Sequence, residues 1–360
     1  MSEHKGDGEL GTDAVSWFRD IGIGDSPQVG GKGASLGELV RAGIRVPAGF
    51  VVTIQAYDQF MDLVDKSGAI RKAIGMLNPK DLDRIKVLSG QFKDLFAQTP
   101  LPATLRKSIA GAYRELCGGQ SDLPVAVRSS ATCEDSAEAS FAGLQDTYLW
   151  IRGEASVVKW VRACWASLYN PESVSYRLRL SLPEDQISMG VVVQEMVNAR
   201  CSGVMFSRSP TTGDRSVVTL EASWGLGSSI VSGEVTPDKY VMNKVTGGII
   251  DRVVATKLIQ HVPDPSGTGV QEQSVPPEKQ TEPCLSDDEV KALLGVAKKT
   301  ELHYGCAQDM EWAIAHEDEG IWLLQSRPET VWSSKQAKHI SVPQKKAFEH
   351  VFSALSGKQN

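Results

Sequence analysis

No run of apolar residues in this sequence approaches the roughly 20 that a membrane-spanning helix needs. Positive charge is not in excess: the formal net charge is -6, so electrostatics gives no reason to expect nucleic acid or an anionic membrane surface as partner. The six cysteines form no C-x-x-C pair and stand at no metal-ligand spacing from a histidine. That argues against a zinc site or a disulfide framework, and for structural thiols in a reducing, cytoplasmic setting. The opening stretch MSEHKGDGELGTD lacks the apolar core of a signal peptide. A P-loop is missing too. VGGKGASLGEL sets a lysine among glycines, but Ser26 stands where the first glycine belongs and Gly33 where the hydroxyl belongs.

What is present is an ordinary soluble composition, 41% apolar and 23% charged, over a length that suits two or three subdomains with their own cores. Residues 1–14 read as a disordered tail. AYDQFMDLVDKSGAIRKAIGML has helical character, whereas LPVAVRSSA and MGVVVQEMV are short β-branched runs that read as buried strands. Apolar pieces recur around Cys201–Phe206 and Val217–Ala222, and YVMNKVTGGIIDRVVATKL reads as a hairpin turning at Gly247-Gly248. The segment from Val262 to Pro283 carries five prolines and two glycines and reads as a surface loop. After it comes the clearest helix of the chain. Ser286 and Glu289 make a capping box, Leu285 and Val290 a hydrophobic staple, and Val290, Leu293, Leu294 and Ala297 one apolar stripe stopped by Gly305. Residues 334–360 read as a linker and a short helix.

Four segments carry candidate chemistry. DMEWAIAHEDEGIWLLQSRPET reads as two strands joined by a turn at His316–Gly320. Alternation puts Asp309 and Glu311 on one face and Met310 and Trp312 on the other, and a simple register sets Gln325 and Arg327 opposite the carboxylates. Two hard oxygen ligands beside an amide and a guanidinium suit magnesium with phosphate oxygens; a solvated face with a cross-strand ion pair is the alternative. In VRSSATCEDSAEASFAGLQDT, Arg128 at a strand end precedes Ser129, Ser130 and Thr132 and a small-residue loop ending at Gly143. Such a loop cradles phosphates, or is simply polar and N-capping. The strand VVVQEM ends in Gln194-Glu195, groups able to read an adenine edge, although polar strand ends are commonplace. Lys32 stands at the mouth of a helix, where the macrodipole prefers an anion. Either an anion sits between the two or this is a surface lysine beside a glycine turn. No serine-histidine-acid order stands out among the six histidines, and His303 reads as part of a last helical turn.

Together, VGGKGASLGEL, VPAGFVVT, VRSSATCEDSAEASFAG, EASWGLGSSIVSGEVTPDKY and DMEW…LLQSRPETVW resemble the nucleotide-binding portion of phosphoenolpyruvate synthase and pyruvate, phosphate dikinase. They run in family order from about Val15 to Trp332. The resemblance implies an α+β, ATP-grasp-like fold, with lobes at 15–197 and 198–333 clasping ATP. It implies that Lys32, Arg128 and Arg327 contact the transferred phosphates and carry the catalysis. Gly143 and Thr147 then belong to the phosphate loop, and Gln194, with Glu195 and Val197, to the adenine hinge. Glu311 and Gln325 would hold Mg²⁺, with Asp309 as a neighbour. Ser228 departs from the pattern, since many relatives carry glutamate after G-L-G, and no role attaches to it.

The family's T-S-H-A histidine motif and its substrate barrel do not occur in this sequence. The resemblance therefore implies the ATP-cleaving part of a divided, AMP-forming phosphotransferase. Its partners would be a phosphohistidine-carrier subunit and an acceptor-binding subunit or domain. Phenylphosphate synthase is divided in this way, which makes phenol the implied acceptor. A split phosphoenolpyruvate synthase, a piece of a rifampin phosphotransferase and an ATP-sensing module without transfer are the competing readings.

Overall fold

In a computed structural model of the chain, residues 14–120, 122–131, 135–136, 139–140, 146–316 and 320–333 are described. The tail before Ala14, Thr132, the loop with Gly143, the tip of the His316–Gly320 turn and the 334–360 segment lie outside them. The described residues up to Glu329 belong to one compact unit; 330–333 belong to a second, Thr330–Asn360.

The β-branched runs settle into a five-stranded antiparallel sheet. The chain forms β1 (Val15–Trp17), α1 (Ser26–Arg41), β2 (Gly49–Val52), α2 (Ile54–Val64), α3 (Ala69–Gly75), α4 (Leu82–Gln98) and α5 (Ala103–Leu116). Then come β3 (Val125–Ala131), the two-residue pair β4 (Asp135–Ser136) and β5 (Ala139–Ser140), and β6 (Thr147–Ile151). The helices α6 (Glu154–Ala166) and α7 (Pro171–Arg179) lead to β7 (Met189–Glu195). The sheet order is β1-β2-β7-β3-β6, which puts the run MGVVVQE at the centre. Its alternate side chains enter different cores. Val191 and Val193 pack with Phe60, Phe96 and Trp165, whereas Val192 packs with Val29 and Leu36 of α1. A strand covered on both faces has no polar side, which is why it reads as continuous apolar sequence.

The remainder forms β8 (Ala199–Phe206), β9 (Val217–Trp224), the one-turn α8 (Ser228–Val231), β10 (Asp238–Asn243) and β11 (Ile249–Val253). It continues through β12 (Ile259–Pro263), β13 (Val270–Ser274), α9 (Asp287–Tyr304), β14 (Gln308–Ala315) and β15 (Ile321–Pro328). Six of these strands make a second antiparallel sheet, β11-β10-β9-β8-β14-β15. Helix α9 starts with the expected reciprocal cap of Ser286 and Glu289 and stops at Gly305, whose φ is 68°. Val290, Leu293, Leu294 and Ala297 are buried against Met310, Trp312 and Ile314. Each of the larger side chains contributes about 1.5–3 kcal/mol on burial. Because β14 alternates, Asp309, Glu311 and Ala313 face the other way, towards the first sheet's side of the molecule.

Three expectations need correction. The stretch 262–283 is not a plain loop: β12 and β13 pair as an antiparallel ribbon, Ile259 opposite Ser274 and Pro263 opposite Val270. β13 is mostly exposed and β12 is half-buried at every position, so no apolar alternation marks them. Arg128 is not at a strand end, because β3 runs on through Ala131. Ala14, at the edge of the expected tail, is buried, and its carbonyl accepts from the Thr53 N–H at 3.0 Å.

Helix α1 links the two halves of the packing. Leu39 enters the second sheet's core while Val29 and Leu36 enter the first sheet's. The Ser35 hydroxyl donates to the Ser326 carbonyl at 2.6 Å, and Tyr304 donates to the Ser35 carbonyl at 3.1 Å. Within α1 the backbone breaks at Gly30, with φ 75° and ψ 167°. A Cβ there would lie 2.0 Å from the Ser130 carbonyl oxygen, so only glycine fits. The Ser130 hydroxyl fills the break. It donates to the Val29 carbonyl at 2.8 Å and accepts from the Gly33 N–H at 3.0 Å. Lys32 thus stands at the start of a second helical segment, pinned against β3.

Candidate functional site

Strands β14 and β15 pair in the register that alternation implied: Asp309 lies opposite Arg327 and Glu311 opposite Gln325. Onto this pair comes Arg128 from the first sheet. Its Nη2 donates to Glu311 Oε2 at 2.7 Å and to Gln325 Oε1 at 2.8 Å, and its Nη1 donates to the Leu324 carbonyl at 3.2 Å. One guanidinium thus holds an acid, an amide and a carbonyl, which its rigid fork of donors allows. Lys32 is buried and donates to the Ser129 carbonyl at 2.7 Å, the residue next to Arg128; it is not a surface lysine.

The two carboxylates of β14 respond oppositely to this setting. Burial pushes the Glu311 carboxyl up, but Arg128, Lys32 and Arg327 together outweigh it and hold the group below the usual carboxylate range. Burial also pushes Asp309 up, and there it wins: Arg327, 3.5 Å away, opposes it, Glu329 adds to it, and the group is raised to about 6. Glu311 is therefore a committed anion. Asp309 titrates near neutrality.

Beside Arg128 opens a cavity of about 320 Å³. Its wall includes Arg128, Thr147, Glu311, Gln194, Glu195 and Val197. Thr147 is there because β6 pairs it with Arg128. Burial raises the Glu195 carboxyl above its ordinary range. Two buried donors of residues on this wall have no hydrogen-bond partner among the described residues: Arg128 Nε and Gln194 Nε2. A buried donor left unpaired costs about 1–3 kcal/mol, so the wall suits an occupant rich in acceptor oxygens and nitrogens. Gln325 reaches this centre through Arg128, while Asp309 and Arg327 sit two pairs further along the hairpin, outside the wall. Gly143 lies outside the described residues.

Two features escaped the sequence. Trp312 was read only as core, yet it also borders the cavity. A serine-histidine-acid arrangement does exist: Ser228 Oγ lies 2.7 Å from His261 Nδ1, and His261 Nε2 lies 2.9 Å from Glu234 Oε2. The one signal for it was Ser228 itself, the residue that broke the pattern after G-L-G.

Two antiparallel sheets joined by a guanidinium, carboxylate and amide, beside a largely apolar cavity with Arg128 and Gln194 on its wall, define a mixed α+β module. The family model described as pyruvate phosphate dikinase, AMP/ATP-binding domain matches residues 26–347, and the chain belongs to that family. Among curated relatives, the probable phosphoenolpyruvate synthase of Methanothermobacter thermautotrophicus is 42% identical over 318 residues, 88% of this chain and 46% of that protein. That of Staphylothermus marinus is 41% identical over 353 residues, 90% of this chain and 42% of that one. The phosphoenolpyruvate synthase of Aeropyrum pernix is 39% identical over 361 residues, covering 91% and 44%. The chain thus spans less than half the length of these relatives. The likeness to solved D-alanyl-alanine synthetase A from Vibrio cholerae is slight. Its TM-score is 0.25 at 11% identity, over 68% of this chain and 54% of that one. The fold description stands instead on the chain's own strand order. No helix among the described residues is long and apolar enough to cross a membrane.

Proposed function

We propose that the chain binds ATP in the cavity beside Arg128 and serves as the ATP-cleaving part of a dikinase-type phosphotransferase. On this reading the lobes are 15–197 and 198–333, clasping the nucleotide between them in ATP-grasp fashion. The observation that carries it is Arg128 held by Glu311 and Gln325 at the wall to which Gln194, with an unpaired amide donor, also belongs. Gln194 meets acceptor atoms of the base edge, and Glu195 and Val197 complete the hinge. Arg128, Lys32 and Arg327 supply fixed positive charge where negative charge develops on the phosphates. Thr147, opposite Arg128, and Gly143 belong to the phosphate-side loop.

Among the described residues no three His, Cys, Asp or Glu side chains cluster in a way that would hold a metal by themselves. Glu311 and Gln325 fit a magnesium completed by phosphate oxygens, the usual habit of that ion. Glu311 Oε2 and Gln325 Oε1 accept from Arg128 in this structure, so an ion held by those atoms would share them with the guanidinium. When bound, Mg²⁺ would neutralise charge between the phosphates. Asp309 is less suited, being engaged with Arg327.

The reaction class proposed is ATP to AMP and phosphate, with the β-phosphoryl passing to a histidine on a carrier subunit or domain and thence to an acceptor bound elsewhere. The relatives' names favour pyruvate as that acceptor, in a divided phosphoenolpyruvate synthase. Phenol, implied by the comparison with phenylphosphate synthase, has no support among them. The test mixes the chain with ATP labelled at the β-position and a carrier bearing a T-S-H-A histidine. Label on the carrier and AMP in solution are expected. Stoichiometric ADP, or acid-labile phosphate on this chain alone, would overturn the reading, and ATP binding without turnover for any such carrier would favour a sensor.

A further inference from the structure

The serine that departs from the family pattern is built into the cavity wall. Ser228 opens α8 and borders the same cavity as Arg128 and Gln194. Its hydroxyl meets His261 Nδ1 at 2.7 Å, and Glu234 Oε2 meets the ring's other nitrogen at 2.9 Å. The imidazole is anchored by its own backbone. Leu226 N–H donates to the His261 carbonyl at 2.9 Å, and at Gly225, with φ 73°, a Cβ would stand 2.4 Å from that oxygen. The ribbon β12–β13 is thereby pressed onto the turn just before Ser228, which aims the ring at the serine.

The direction of the protons follows from this chain of contacts. Glu234 accepts the Nε2 proton, so in the neutral ring Nδ1 carries a lone pair and accepts from the Ser228 O–H. The serine hydrogen is then committed to the ring, and Oγ offers its lone pairs elsewhere. The unpaired side-chain groups of the wall residues Arg128 and Gln194 are both donors. Ser228 supplies the complementary kind of group, an oriented acceptor. A nucleoside triphosphate offers two sorts of donor, an exocyclic amine and the ribose hydroxyls, and the hinge at Gln194 and Glu195 addresses the base.

We infer that Ser228 reads the ribose diol of the bound nucleotide, with His261 and Glu234 as the residues that position it. This rests on the ATP-binding reading above. It makes the chain selective for ribonucleotides through a hydroxyl aligned from two other elements.

Calorimetry on the full chain with ATP, 2′-deoxy-ATP and 3′-deoxy-ATP tests it. The wild-type chain is expected to bind ATP roughly tenfold or more tighter than at least one deoxy analogue, the scale of one well-placed hydrogen bond, and the two analogues tell which hydroxyl is read. Ser228→Ala is expected to weaken ATP about tenfold and leave that analogue unchanged, so their ratio falls to about one. Glu234→Leu should lower the ratio, and Glu234→Gln, which keeps an oxygen facing Nε2, should restore it. Equal weakening of all three nucleotides in Ser228→Ala, or a wild-type ratio near one for both analogues, overturns this inference alone. A wild-type chain that binds no ATP overturns both readings.

Discussion

Arg128 Nη2 stands 2.7 Å from Glu311 Oε2, and this ion pair ties β3 of the five-stranded sheet to β14 of the six-stranded one. The same nitrogen reaches Gln325 on β15, so one side chain closes the site and joins the sheets. Structure and ligand chemistry therefore compete for Arg128, and a substitution there should be felt in both.

Arg128→Ala should lower the melting temperature and abolish detectable ATP binding. Losing one partner leaves Glu311 without its cation, at a cost approaching about 3 kcal/mol for a largely enclosed pair. Arg128→Lys keeps the charge but cannot hold Glu311, Gln325 and the Leu324 carbonyl together, so it should recover most of the stability and little of the affinity. Thermal melts beside calorimetry separate the two effects. Full affinity in Arg128→Ala would remove this residue from the site.

The break at Gly30 should be indispensable. Gly30→Ala forces a side chain into a positive-φ position 2.0 Å from the Ser130 oxygen and is expected to cost at least about 2 kcal/mol. Ser130→Ala should cost about 1–3 kcal/mol, because the Gly33 N–H and Val29 carbonyl lose their partner in a buried place. Urea titrations measure both. A Gly30→Ala chain as stable as the wild type would show that α1 can straighten.

Stability should fall as pH rises from about 4 to about 6 through Asp309. Its folded-state value is raised to about 6 from 3.8, so the folded chain binds the proton more tightly than the unfolded one. The stabilisation from that proton is complete below the unfolded value and is lost as pH climbs through the folded one. Asp309→Asn cannot ionise and should be the more stable form at pH 7, by up to about 3 kcal/mol, with the difference vanishing near pH 4. Denaturation at several pH values checks it, and a difference independent of pH would rule out Asp309 as the titrating group.

Magnesium should tighten ATP binding through Glu311 and Gln325. The wild-type chain is expected to bind ATP more strongly with Mg²⁺ than without, and Glu311→Ala with Gln325→Ala should remove that increment. Calorimetry in the presence and absence of the ion measures it. An increment surviving the double substitution would move the metal elsewhere.

Local patterns were enough for several parts of this protein. The capping box at Ser286, the stop at Gly305, the alternation along 309–327 and the β-branched runs of β3 and β7 each follow from interactions within a few residues or one strand pair. These were legible because period and capping chemistry are written in consecutive positions. The sharing of one face by Asp309 and Glu311, and their register against Arg327 and Gln325, belongs to the same class.

Contacts between distant segments were decided by the tertiary structure alone. That Arg128 meets Glu311 across 183 positions, and that Lys32 is buried against Ser129 across 97, depends on how the two sheets and α1 pack. The β12–β13 ribbon stayed hidden because β12 is evenly half-buried and β13 mostly exposed, so no apolar alternation betrays it. For the same reason His261 could not be placed beside Ser228, 33 positions earlier, until that ribbon was seen folded onto Gly225. Sequence spacing encodes periodicity along the chain; which face meets which is set by the burial of apolar surface over the whole chain, and the partners of Arg128, Lys32 and Ser228 follow from that packing.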